Sequence, residues 1–138
     1  MGFWSFFFGK PVKKSPVEDY VECERYFSPS GEMIGLSATG EFGSLTQRQE
    51  DFISQVERDY LLIIAAIIPS IEDRFRHWKP EFRIGEFKQE FKPVHLDIPT
   101  CDQQPIEWEI AFETVHDRNH TVFIVMLGYE PQYVRVNG

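Results

Sequence analysis

Two cysteines in 138 residues, Cys23 and Cys101, are too few for a disulfide framework or a four-ligand zinc site. Basic residues are also scarce. Fourteen Lys and Arg stand against 22 Asp and Glu, a formal net charge of −8. Nucleic-acid backbones are bound by displacing counterions with Lys and Arg, so this balance argues against a nucleic-acid partner. No run approaches the roughly 18 uninterrupted apolar residues of a membrane span. The sequence has no Gly-rich phosphate loop, Walker lysine motif, nucleophile elbow or HExxH motif. Gly35, Gly40 and Gly43 are too scattered to form a dinucleotide fingerprint, and no cofactor is implied.

What the chain does have is aromatic and acidic. With 13 Phe and 42% hydrophobic residues it can build a core, and its length suits one domain. The two properties are unevenly spread. Phe3, Trp4, Phe6, Phe7 and Phe8 crowd the amino terminus, followed by Lys10, Lys13 and Lys14. A secretory signal would place its basic residues before a longer apolar run, and Phe6 stands where a myristoylation motif needs Ser or Thr. A cytoplasmic location is therefore expected. Residues 1–16 read as an aromatic and basic arm with its linker. The arm either packs on the domain or makes a weak peripheral membrane contact through residues 3–14. Residues 1–17 carry three Lys and no acid, which leaves 11 basic and 22 acidic groups in the remainder, a net −11.

Residues 17–138 read as a single α+β domain. Glu18 to Ser28 and Glu32 to Phe42 form an N-terminal β-hairpin about Pro29-Ser30-Gly31, where Pro presets φ and Gly takes the left-handed position. Ser44 with Gln47 fits a capping box. Phe52, Val56, Tyr60, Ile63, Ile64 and Ile67 then repeat at helical spacing, and the stripe resumes with Ile71, Phe75 and Trp78. One long helix kinked at Pro69 is expected, buried nearly all round between Leu61 and Ile68. After Pro80 the period changes to two, and a curved antiparallel β-meander of three to four strands should pack on that helix. Its clearest strand alternates Ile106, Trp108, Ile110 and Phe112 with Glu107, Glu109 and Glu113. Asp117-Arg118-Asn119 reads as a hairpin loop in which His116 opposes His120, placing Phe112 against Ile124.

Few residues invite chemistry. His116 and His120, facing across a tight hairpin, are weak metal candidates that lack a third ligand. Glu107, Glu109 and Glu113 lie on one strand face with successive i, i+2 carboxylates roughly 7 Å apart. Such spacing occurs in glycosidases, but a solvated strand face offers no cleft and no raised pKa, so an acidic recognition surface or a plain polar face is the better reading. A cysteine nucleophile would need His77 or His95, and no spacing recommends either. Cys23 reads as packed and Cys101 as incidental. No catalytic residue is assigned and no enzyme activity is expected.

The opening Met1-Gly2-Phe3-Trp4-Ser5-Phe6-Phe7-Phe8-Gly9-Lys10 resembles the start of many small bacterial proteins, several of which accompany polymorphic or contact-dependent toxins as immunity proteins. Small size, strong acidity and an α+β body without catalytic motifs are similar to that group. The resemblance implies a noncatalytic protein-binding domain that neutralises a cognate basic toxin by occluding its surface with an acidic face. Glu107, Glu109 and Glu113, Glu22 with Glu24, and Glu50 with Asp51 are the candidate contacts. The alternative is a small-molecule-binding domain or enzyme with a pocket between helix and curved sheet, lined by residues such as Trp108, Phe112 and Tyr60.

Overall fold

Alternation, turn chemistry and one long crossover together build a single sheet. The computed structural model describes residues 19–40 and 43–137; the arm and linker at 1–16, together with Phe42, lie outside the described residues. Strands β1 (Asp19–Phe27) and β2 (Glu32–Gly40) form the expected hairpin. Gly31 takes φ +70° at its turn, and the amides of Ser30 and Gly31 both donate to the Phe27 carbonyl. Helices α1 (Gln47–Arg58), α2 (Tyr60–Phe75) and the single turn α3 (Phe87–Glu90) follow. Strands β3 (Phe91–Ile98), β4 (Glu107–Thr114), β5 (Asp117–Leu127) and β6 (Glu130–Asn137) complete the chain.

The α+β class holds, but among the described residues the sheet has six strands, not a separate hairpin and a three- to four-stranded meander. Its spatial order is β1-β2-β3-β4-β5-β6. The hairpin joins the later strands because the helical crossover returns the chain beside β2. There Gly35, Leu36, Ser37 and Ala38 pair in parallel with His95, Leu96, Asp97 and Ile98. A parallel pair requires such a crossover, whereas the other neighbours are antiparallel and shortly connected. Pro93 is tolerated in an interior strand because it precedes His95, where pairing with β2 begins.

The expected single kinked helix is two successive helices plus the short α3, and the break falls at Asp59 instead of Pro69. Asp59 closes α1 with φ −101° and ψ 19°. The Tyr129 hydroxyl donates to Asp59 Oδ2 at 2.7 Å and lies 3.4 Å from the Gln55 carbonyl. The backbone ladder continues across this point, with the Asp59 amide donating to the Gln55 carbonyl at 2.9 Å and the Ile63 amide to the Asp59 carbonyl at 3.1 Å. Pro69 sits within α2 on its solvent side, where the carbonyl deprived of a partner is left to water. The cap also differs. Thr46, not Ser44, closes the reciprocal box with Gln49. Gln49 is fully buried, and its Nε2 donates to the Thr39 carbonyl and, at 2.9 Å, to that of Pro99. One amide thus ties the start of α1 to the ends of β2 and β3.

The helices cover one face of the sheet. Ile53, Val56, Ile63, Ile67, Ile71 and Phe75 meet Leu36, Leu96, Ile110, Phe112, Val122 and Ile124 in one continuous core. Truncating any of these would cost about 2–5 kcal/mol by transfer and cavity formation. The expectation that Leu61 to Ile68 is buried all round fails. Leu61 and Leu62 are 81% and 67% exposed, because the sheet covers only one side of α2. The β4–β5 register also lies two residues from the expected one. Phe112 pairs with Val122 and Ile110 with Ile124, the turn is Val115-His116, and a bulge at Glu113/Thr114 absorbs the extra residues. A two-residue slip leaves every side chain on its original face.

Candidate functional site

Six strands with helices on one side leave the other face of the sheet open to anything outside the described helices. Side chains of directly paired residues share a face, so the register identifies what stands there. Tyr20, Glu22, Glu24 and Tyr26 on β1 lie opposite Thr39, Ser37, Gly35 and Met33 on β2, all away from the core residues Ile34, Leu36 and Ala38. Glu107, Glu109, Ala111 and Glu113 follow on β4, facing Leu127, Val125, Phe123 and Thr121 on β5. Tyr133 and Arg135 complete the face on β6.

The centre of this face is ordered by polar contacts. His95 on β3 places Nε2 3.0 Å from Ser37 Oγ. Its ring lies against Gly35, where a Cβ would fall 2.6 Å from Nδ1, so only glycine leaves room for it. Burial pushes the imidazolium pKa of His95 down to about 4. A hydroxyl beside an imidazole is the start of a nucleophile pair, but a base this weak at neutral pH is poorly matched to proton abstraction. Glu109 is bound by Arg135 at 3.0 Å, and the guanidinium also lies 4.4 Å over the Phe123 ring. Burial raises the Glu109 carboxyl pKa, against the opposing pull of Arg135.

Around that centre stand Glu22, Glu24, Glu107 and Glu113, all exposed, with exposed Tyr20, Tyr26, Met33 and Tyr133 among them. The topology therefore brings together five of the seven acidic candidates, with Glu109 already engaged by Arg135. It leaves Glu50 and Asp51 on α1, in the opposite layer. There Glu50 bridges Arg25 at 3.3 Å, and Asp51 accepts from Gln47 at 2.8 Å.

The histidine pair is divided between two carboxylates. His116 Nε2 lies 2.7 Å from Glu90 Oε1, and His120 Nδ1 lies 2.8 Å from Asp117 Oδ1. Burial raises the Glu90 carboxyl pKa, but His116 and the amides of Glu86 and Gly85 outweigh it and hold the pKa below its ordinary value. Among the described residues no three His, Cys, Asp or Glu side chains converge as a metal-binding group. The two cysteines exchange their expected settings. Cys23 is exposed on the edge strand, whereas Cys101, at φ +68°, is buried. Burial, then neighbouring Asp102, pushes the Cys101 thiol up to about 11, the reverse of an activated nucleophile.

A cavity of about 650 Å³ lies at the end of the sheet between the start of α2, α3 and the β4–β5 turn. Tyr60, Ile64, Phe87 and Phe91 line it, with Lys92 and Glu113 at its polar side. Tyr60 is the one expected pocket residue present, since Trp108 and Phe112 are core. Lys92 is paired with Glu32 at 3.1 Å. No helix among the described residues is long and apolar enough to cross a membrane. Compared with known proteins, the chain matches no family model, no curated protein and no solved structure.

Proposed function

We propose that this chain is a noncatalytic protein-binding domain whose open sheet face receives a basic partner, and that the partner is a cognate bacterial toxin. The observation that carries the reading is the composition of one sheet face. Four exposed carboxylates, on Glu22, Glu24, Glu107 and Glu113, share it with exposed Tyr20, Tyr26, Met33 and Tyr133. Aromatic residues and methionine are what protein interfaces enrich, and a set of like charges on one face steers an oppositely charged partner toward it. The toxin assignment is supported by the resemblance of the amino-terminal segment and by the acidity of the body.

The test is association with a basic toxin encoded beside this chain, followed at low and moderate salt. Reversing the four carboxylates together (E22K, E24K, E107K, E113K) should slow association at least tenfold at low salt. Reversing Glu50 and Asp51 on the helical layer should leave it nearly unchanged. Equal effects from the two sets, or an association rate insensitive to salt, would refute the assignment of the face.

The cavity beside Tyr60 favours a second reading, binding of a small ligand, since its volume lies within the range of ligand pockets. A ligand taken there should raise the unfolding midpoint with its concentration, and Ile64→Trp should abolish that rise.

A further inference from the structure

Two apolar residues are buried where the core does not reach. Ala111 is 2% exposed and Phe123 is 7% exposed, yet neither belongs to the core cluster between helices and sheet. They pair directly with each other on the open face, and His95, paired with Ala111 on the next strand, is desolvated with them. Arg135 lies over one side of Phe123, and no described helix lies across this face. Of the residues outside the description, 1–18 form the one run longer than two residues.

That run has the chemistry and the length to cover the patch. It carries five aromatic rings between Phe3 and Phe8, then three lysines and no acid before Glu18. It enters the sheet at Asp19 on the edge strand, next to Tyr20 of the open face. From β1 to β5 the sheet spans four strand intervals, about 19 Å at the usual spacing. The ten residues from Gly9 to Glu18 reach about 30 Å when extended, enough to set the rings over β4 and β5. The face between β1 and β5 carries Glu22, Glu24, Glu107 and Glu113, opposite in charge to those lysines.

We propose that residues 1–17 dock in cis on the open face of the sheet, with the aromatic rings over Ala111 and Phe123 and the lysines against the surrounding carboxylates. The arm is thus an internal occupant of the acidic face, one that a basic partner binding there has to displace. This inference rests on the burial pattern and not on the partner reading, and its test uses the full chain without any partner.

Zero-length carbodiimide coupling joins a lysine amine to a carboxylate only when the two touch. Peptide mapping of the monomeric product should find Lys10, Lys13 or Lys14 joined to carboxylates of the open face. Links confined to Glu50, Asp51 or Glu57 on the helical layer, or none from these lysines, would overturn the proposal. Links that form only in a dimer of mixed isotope-labelled chains would overturn it in favour of a second copy. As an independent readout, replacing the five arm aromatics with serine in the full chain should raise the His95 titration midpoint, followed by its ring nitrogen signals, by one pH unit or more. A midpoint unchanged in that variant would also overturn it.

Discussion

His95 provides the most quantitative handle on the open face. Its folded-state pKa is about 4 because burial penalises the imidazolium, against an ordinary value of 6.5. As pH falls from 7, the unfolded chain takes up this proton near 6.5, while the folded chain does not until near 4. The unfolded state therefore binds more protons across that window, and stability falls with pH until both states are protonated. The separation of the two values corresponds to about 3 kcal/mol in full, of which about 2 kcal/mol is already lost between pH 7 and pH 5. His95→Gln keeps a hydrogen-bonding group beside Ser37 but cannot take the proton. Urea unfolding of both proteins at pH 7, 6 and 5 isolates the term, because Glu109 and the other carboxylates titrate in each. The midpoint of the natural chain should drop relative to the variant by about 1 M over the two pH units, at an m-value of about 2 kcal/mol/M. Parallel behaviour of the two within about 0.5 kcal/mol would show that His95 is not desolvated and would refute the reasoning.

Gly35→Ala should push the His95 ring away from β2, break its contact with Ser37 and move its midpoint toward 6.5, observable in the same ring nitrogen signals. Gln49→Leu should lose about 2–4 kcal/mol in urea unfolding, because it strips partners from the Thr39 and Pro99 carbonyls and from the Thr46 amide in a buried site. Tyr129→Phe keeps the ring but removes the 2.7 Å bond to Asp59, and should cost about 1 kcal/mol by the same measurement.

These residues also show which parts of the molecule were legible in its sequence. The alternation of Trp108, Ile110 and Phe112 with three glutamates assigned both faces of β4 correctly although the pairing register was two residues off. A period of two cannot distinguish registers that differ by two. The capping box was ambiguous for a similar reason, since Ser44 with Gln47 and Thr46 with Gln49 have the same spacing. The structure selects Thr46 because Gln49 then reaches two strand ends, a contact set by tertiary packing. The helix break at Asp59 is held by a contact from Tyr129, 70 residues away, which no local pattern announces. Pro69 announced a break that a solvent-facing position made unnecessary. Leu61 and Leu62 belong to a continuous apolar run, and composition alone does not say that a single sheet will cover only one side of it.

The open face was half legible. Glu107, Glu109 and Glu113 were visibly on one side of one strand, but their companions on β1 share that side because the β2–β3 register sets Gly35 beside His95 and Ser37 beside Asp97. The same pairing brings Ser37 to His95 across 58 residues, and no motif links them. The acidic face is thus a product of topology more than of charge pattern. For this reason the variants that test it must be chosen by strand and face: Glu50 and Asp51 are as acidic as Glu22 and Glu24, yet they lie on the other layer of the molecule.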